Sequence, residues 1–347
     1  MYIKKIPLIV LYSALLTLPV IAADSGSDLD KVEAKAATSK TTAKADSTAA
    51  VHHGITKSYS AKKVAEHTYV IHGPLETPNA NNKGFMNNPA FIVTDAGVAV
   101  IDPGSSVQIG RGVLIHIKKV TDKPVTMVFN THVHGDHWLG NQAFLEANPD
   151  VKIYAHPKMI ESAKAGDAES WIKNLSKLTE GAIDSTEAVI PTEALKDGQV
   201  VKLGKLSFKI HLNEHAHTKT DAMIEVLEDK VLFTGDNVTA KRIPRMDDGS
   251  FRGSIAVIEK ALKYDIEHVV PGHGQTGSKT VLSDYQNYLS TIYKTVKILS
   301  EEGLEAFEMK EKIAEKLVDY KDWRGFDDEL GKHISLAVLE AEQEDFE

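Results

Sequence analysis

The 347-residue chain contains no cysteine. That absence excludes disulfides, thiolate nucleophiles and thiolate metal ligands, and it leaves stability to the core and to any bound metal. It also removes any site for lipid attachment to a leader cysteine, and no twin-arginine pair stands near the start. Positive charge is short as well. Forty lysines and arginines face 49 acids, for a formal charge of −9, and this becomes −11 without residues 1 to 22, whose only charges are Lys4 and Lys5. An acidic surface of that kind argues against nucleic acid as the main partner. What remains is ordinary for a soluble globular protein, with 42% hydrophobic and 26% charged residues. The length suits one large catalytic domain with an appended element, or two modest domains.

Met1 to Ala23 has a basic start, an apolar run from Ile6 to Ile21 and small residues before Asp24. This is the pattern of a secretory signal peptide cut after Ala22 or Ala23, which predicts a periplasmic or secreted protein with no stable membrane insertion after cleavage. An uncleaved anchor is the alternative, since the run is only slightly shorter than the ~20 residues of a spanning helix; Pro7 and Pro19 shorten it further. From Asp24 to Gly54 the composition falls to Ala, Ser, Thr, Lys and Asp, too little apolar surface to offset the entropy of ordering, so residues 24–54 are read as a disordered tether. His52-His53 at its end reads as a solvated pair.

The densest chemistry lies in Thr131-His132-Val133-His134-Gly135-Asp136-His137-Trp138. Three imidazoles and a carboxylate fall within six residues, just after a β-branched run from Pro124 to Phe129 that reads as a buried strand. Neutral imidazole nitrogen and carboxylate oxygen are the donors that a borderline divalent cation accepts. His132 and His134, two apart on extended backbone, can reach one ion together. Asp136 and His137, past the Gly135 turn, aim better at a second ion.

Around this loop the pattern is strand-rich. Thr68 to Gly73 reads as a strand and turn, and Asn88 to Gly104 as a hairpin about Asp95-Ala96-Gly97, with Asp102 closing its second strand as either a turn-former or a carboxylate that orients a ligand. Ser106 to Val120 suits a helix, Asn141 to Ala147 another, and Val151 to Pro157 a short strand. Lys158 to Ala188 reads as an amphipathic helical insert, with Trp171, Ile172, Leu175 and Leu178 at helical spacing, either a lid over a cleft or a packing element. Val200 to Leu212 is a second hairpin. It leads to His215 and His217, then to strands Ala222–Leu227 and Lys230–Phe233, the latter running into Thr234-Gly235-Asp236. A helix from Gly253 to Tyr264 precedes Val269-Val270 and Pro271-Gly272-His273-Gly274. From Val281 onward two or three helices are expected, with Leu289, Ile292, Val296, Ile298 and Leu299 as apolar positions.

Four places therefore end a strand and offer a ligand: the hexad, His217, Asp236 and His273. Together they predict two divalent metal ions, with His132, His134 and His217 on the first, Asp136, His137 and His273 on the second, and Asp236 between. Zn²⁺ is the expected species, and Fe or Mn suits the same ligands. These motifs resemble, in order and spacing, the five sequence motifs of the metallo-β-lactamase superfamily, with Asp102 at the position of the first. The resemblance covers about residues 58 to 285.

It implies an α+β fold, a four-layer αββα sandwich with the metals at one edge, over residues 55–285, followed by a helical extension over 286–347. It also implies attack by a metal-bridging hydroxide on a small-molecule ester, thioester or lactone-like substrate, with Asp136 able to take a proton. The aspartate of Thr-Gly-Asp resembles the bridging ligand of glyoxalase II-like hydrolases, and true β-lactamases commonly lack one there. The stretch from Asp236 to Gly274 and the tail around Trp323-Arg324-Gly325-Phe326 are more loosely similar to exported zinc hydrolases associated with quinoprotein or sulfur-oxidation systems. Alternatives are a β-lactamase and a non-catalytic metal-binding or redox accessory protein. Flavodiiron proteins share the fold, but they carry glutamate where His134 stands. Lys241, Arg242 and Arg245 could meet an anionic substrate or form a solvated face, and His215 could touch substrate or sit idle at a strand edge.

Overall fold

The computed structural model describes residues 58–344. The expected signal peptide, the tether and His52-His53 lie outside the described residues. Twelve strands form two sheets among the described residues. The first sheet has the order β1 (Ala61–Lys63), β2 (Thr68–Ile71), β3 (Ala90–Val93), β4 (Val98–Ile101), β5 (Val125–Phe129), β6 (Lys152–Ala155) and β7 (Glu193–Ala194). Pairing is antiparallel as far as β4 and parallel from there on. The second sheet has the order β12 (His268–Val270), β11 (Val231–Phe233), β10 (Ala222–Val226), β9 (Leu206–Leu212) and β8 (Val200–Leu203), antiparallel except for β11 with β12.

Side-chain alternation along the strands decides the layers. Ala90 and Ile92 of β3, Ala99 and Ile101 of β4, and Phe129 of β5 face Phe208, Ile210, Ile224 and Phe233 of the other sheet in one buried cluster. The residues between them, such as Phe91, Val98, Val100 and Val128, point outward. They are covered by α1 (Val107–Val120), which turns Ile109, Val113 and Ile117 inward at four-residue intervals, and by Phe144 of α3 (Asn141–Ala147), which follows the one-turn α2 (Gly135–Trp138). Ser106 caps α1 by accepting from the Ile109 amide. On the other side, Met223, Leu232 and Val269 pack beneath α6 (Phe251–Ala261), α7 (Thr280–Glu301), α8 (Ala306–Lys316) and α9 (Phe326–Glu344). The result is two sheets between helical layers, with the C-terminal helices sharing the core of the second sheet. No helix among the described residues is long and apolar enough to cross a membrane.

The insert departs from the reading of one helical stretch over 158–188. It comprises α4 (Pro157–Ser162), a widened turn over Ala163–Asp167 broken at Gly166 (φ +126°), and α5 (Ala168–Leu178). Turns and irregular backbone follow from Thr179. Periodicity could not find the break because it lies between two segments of the same period. Leu175 is buried, but Leu178 is 45% exposed. Ile298 of α7, read as an apolar position, is 54% exposed, whereas its neighbours Val296 and Leu299 are buried.

Candidate metal centre

Parallel pairing gathers the chemistry at one edge. β4 lies beside β5 in one sheet and β11 beside β12 in the other, so Asp102, His132, Asp236 and His273 all leave C-terminal strand ends. β9 runs in the same sense as β11, because both are antiparallel to β10, and its end delivers the loop carrying His217. The sheets are tied together at this edge by the Ala222 amide donating to the Thr131 carbonyl at 2.7 Å. Asn88 adds a second tie, donating Nδ2 to the carbonyls of Pro271 and Gly274 at 2.8 and 2.7 Å. The metal loop itself is closed by Trp138, fully buried, whose Nε1 donates to the Val133 carbonyl at 2.7 Å.

The seven residues expected to bind metal are brought to one patch. Ligand atoms of His132, His134, His217 and Asp236 lie within 4.8 Å of one another, and those of Asp136, His137 and His273 form a second such group. Asp236 faces both groups. Its Oδ1 is 3.2 Å from His137 Nε2, and its Oδ2 is 3.2 Å from His273 Nε2 and 3.7 Å from His217 Nε2. Asp136 Oδ2 stands 3.4 Å from Nε2 of both His137 and His273. All seven are buried except His134, which is half-buried. Gly272 makes the approach feasible, since a Cβ there would lie 1.9 Å from Asp236 Oδ1.

The nitrogens facing away from the patch are held by partners, which fixes the tautomers. Asp102 accepts from the Thr131 amide at 2.8 Å, from Thr131 Oγ1 at 2.7 Å and from His137 Nδ1 at 2.8 Å. Thr131 has one hydroxyl proton and gives it to Asp102, so its 3.0 Å contact with His132 Nδ1 must be accepted from the imidazole N–H. His273 Nδ1 donates to the Met86 carbonyl at 2.8 Å. In its neutral form each ring thereby directs its Nε2 lone pair inward. Asp102 thus serves as the orienting carboxylate, and its φ of +48° marks the turn-former as well.

These inward atoms test whether a cation fits. His132 Nε2, His137 Nε2, Asp136 Oδ2 and Asp236 Oδ1 are buried and have no hydrogen-bond partner among the described residues. Leaving four such atoms orphaned costs several kcal/mol in total, at roughly 1–3 kcal/mol each, and a divalent ion satisfies them together. Five imidazoles and two carboxylates, without sulfur, form a donor set suited to Zn²⁺, Fe or Mn.

Electrostatics split the two groups. Burial, reinforced by the His137 and His134 imidazoles, holds His132 well below its ordinary value, and burial with His134 beside it lowers His217 to about 3. Burial also disfavours charge on His137, but the Asp236, Asp136 and Asp102 carboxylates outweigh it and hold His137 well above the usual range. For Asp236 the desolvation cost is overcome by His273 and His137, which keep it ionised. His132 and His217 on the first side therefore stay neutral, whereas His137 on the second sits among carboxylate charges.

The Metallo-beta-lactamase superfamily model matches residues 82–273, more than half of the chain. The chain belongs to the metallo-β-lactamase superfamily. This superfamily comprises metal-dependent hydrolases. The chain is 22% identical over 264 residues to a linear primary-alkylsulfatase of Pseudomonas sp., covering 64% of this chain and 49% of the alkylsulfatase. It is 23% identical over 207 residues to a metallo-beta-lactamase type 2 of Bacillus sp., covering 58% and 72%. The chain thus spans about half the length of the alkylsulfatase it matches. Among solved structures, the sec-alkylsulfatase Pisa1 from Pseudomonas sp. superposes with a TM-score of 0.63 at 18% identity, over 81% of this chain and 50% of Pisa1. A metallo-beta-lactamase from Pontibacter korlensis gives 0.54 at 18%, over 67% and 99%. These likenesses support the superfamily fold.

Other residues singled out in the sequence fall around the superfamily site. His215 is exposed, with Nε2 3.1 Å from the Asp248 carbonyl. Arg245 is paired with Asp247, Lys241 lies over the Trp323 ring at 5.4 Å, and Arg242 Nη1 is 3.4 Å from His273 Nδ1. Sequence reasoning missed Asn88, Thr131 and Asp248, whose Oδ2 is 3.5 Å from His134 Nε2. Only Thr131 carried a signal, as a hydroxyl adjacent to the first ligand.

Proposed function

We propose that this chain is an exported dinuclear metal-dependent hydrolase acting on a small-molecule ester, thioester or lactone-like bond. The observation that carries the reading is Asp236, whose Oδ2 lies 3.7 Å from His217 Nε2 of the first ligand group while its two oxygens lie 3.2 Å from His137 and His273 of the second. Divalent cations held by these residues would supply an acidified water and Lewis-acid polarisation of the electrophile. The chain's own part is to hold His132, His134 and His217 on one side and Asp136, His137 and His273 on the other. Asp102, Thr131 and the Met86 carbonyl keep protons on the outer nitrogens of three of these rings. Asp136 Oδ2, buried and unpartnered, is the group placed to receive a proton as attack proceeds. Export rests on the first 23 residues alone.

A second reading is β-lactam hydrolysis, favoured by the type 2 metallo-beta-lactamase relatives and disfavoured by an aspartate at position 236. The test is metal analysis of purified protein, followed by turnover of thioester, lactone, carboxylic ester, sulfate ester, phosphodiester and nitrocefin. Two metal equivalents are expected, with ester-type turnover lost in His134→Ala. A protein that binds no transition metal would overturn the proposal, and nitrocefin as the preferred substrate would favour the second reading.

A further inference from the structure

His134 differs from the other six residues of the patch. Alone among the seven it is half-buried, and it meets the patch by the opposite ring nitrogen. His132, His137 and His273 turn Nε2 inward, whereas His134 brings Nδ1 to 3.1 Å from His217 Nε2 and carries its own Nε2 outward. A cation shared with His217 therefore takes His134 at Nδ1, and a neutral imidazole ligating there keeps its single proton on Nε2. The acceptor that meets this proton is Asp248, with Oδ2 at 3.5 Å. Trp171 packs beside the same ring, with centroids 4.9 Å apart at a tilt of 51°.

The Asp248 side chain is 70% exposed, so its place is set by the backbone of its turn. His215 Nε2 donates to the Asp248 carbonyl at 3.1 Å, the Gly249 amide to the Met246 carbonyl at 3.0 Å, and the Ser250 amide to the Ala216 carbonyl at 2.8 Å. Gly249 runs so close to the His217 loop that a Cβ there would lie 3.1 and 3.2 Å from the Ala216 and His217 carbonyls. On the other side Glu340 of α9 accepts from Ser250 Oγ at 2.6 Å and from the Phe251 and Arg252 amides at 2.7 and 3.1 Å. The turn is thus fastened between the loop of one ligand and a C-terminal helix that lies beyond the residues matched by the family model. We propose that Asp248 is the positioning residue of His134, holding its Nε2–H so that Nδ1 faces the first ligand group, and that Glu340 fixes the turn that presents it. This rests on the dinuclear metal reading and adds to it two residues outside the motif set.

Zinc binding to the full chain is measured by competition with a chromophoric chelator, and imidazole N–H signals are followed by proton–nitrogen NMR of the zinc-loaded protein. Expected for Asp248→Ala is about tenfold weaker zinc at one of the two sites, the low end of the cost of losing a ligand's outer partner because this carboxylate stands in water. The Nε2–H signal of His134 is then lost to exchange with solvent. Asp248→Asn keeps an oxygen acceptor, so the signal survives and affinity stays within about threefold, the worth of an exposed charge. Asp247→Asn removes the same charge one residue away, on a side chain paired with Arg245, and leaves the signal in place. Glu340→Ala weakens the same site as Asp248→Ala does. Wild-type affinity and a persisting signal in Asp248→Ala overturn the proposal and leave the metal reading standing, and equal weakening by Asp247→Ala and Asp248→Ala overturns it as an effect of net charge. Wild-type behaviour of Glu340→Ala overturns the part given to Glu340. A wild-type chain that binds no zinc overturns the proposal and the metal reading together.

Discussion

Replacing Asp102 with asparagine isolates the orienting charge from the backbone that carries it. Asparagine tolerates the +48° φ as well as aspartate does, and it has nearly the same shape. The carboxylate receives three donors, two on Oδ2 and one on Oδ1. An amide can offer an acceptor to one side only, so at least one donor is left facing an NH₂. Losing a hydrogen bond to a charged group costs roughly 1.5–3 kcal/mol. The cost falls on metal binding, because His137 is then free to place its proton on Nε2. Asp102 also helps raise His137, so its loss eases competition by protons, but Asp236 and Asp136 contribute more to that shift and remain. The net expectation is zinc affinity about 10- to 100-fold weaker. Both ligand groups should feel it, one through His137 and the other through Thr131 and His132. Competition with a chromophoric chelator measures the two affinities, with circular dichroism to confirm folding. Affinities within threefold of wild type at both sites would refute the orienting role.

Thr131→Val removes the relay to His132 while sparing the contact of Asp102 with His137, so zinc titrations should lose affinity at one site more than at the other. Gly272→Ala places a methyl on Asp236 and should lower metal stoichiometry by mass spectrometry; two retained ions would show that the loop gives way. Chelation should lower Tm and zinc should restore it, with about 4 kcal/mol of stabilisation at a thousandfold excess over Kd. His333, buried with Nε2 donating to the Pro244 carbonyl and Nδ1 accepting from Tyr288, has its pKa lowered to about 4 by burial. The unfolded chain binds a proton there that the folded chain refuses. Stability from this group is therefore complete above about pH 6.5 and is lost as pH falls toward 4, by roughly 3 kcal/mol. The difference between wild type and His333→Gln in denaturant titrations from pH 4 to 7 should change by that amount, and parallel curves would contradict it.

Local pattern carried much of the architecture. The hairpin at Asp95-Ala96-Gly97, the helix at Asn141–Ala147 and the strand entering the hexad are set by alternation, turn chemistry and caps between near neighbours, and they stand close to where periodicity put them. The insert was legible only in part, because its break at Gly166 changes no period and the residues after Leu178 bury Ile183 and Thr186 without forming a helix.

The sequence by itself determined which residue types end the strands, and with them the chemistry available: imidazole and carboxylate, never thiolate. Strand-end position alone did not separate the histidines that meet from those that do not; the motif resemblance is what singled out His217 and His273. His72 follows β2 and bonds Thr276, and His156 follows β6 and caps α4, whereas His217 and His273 reach the common patch. Physically, the pairing of β4 with β5 and of β11 with β12, and the stacking of the two sheets, separates those cases, because convergence of residues over a hundred positions apart depends on register and packing and leaves no local trace.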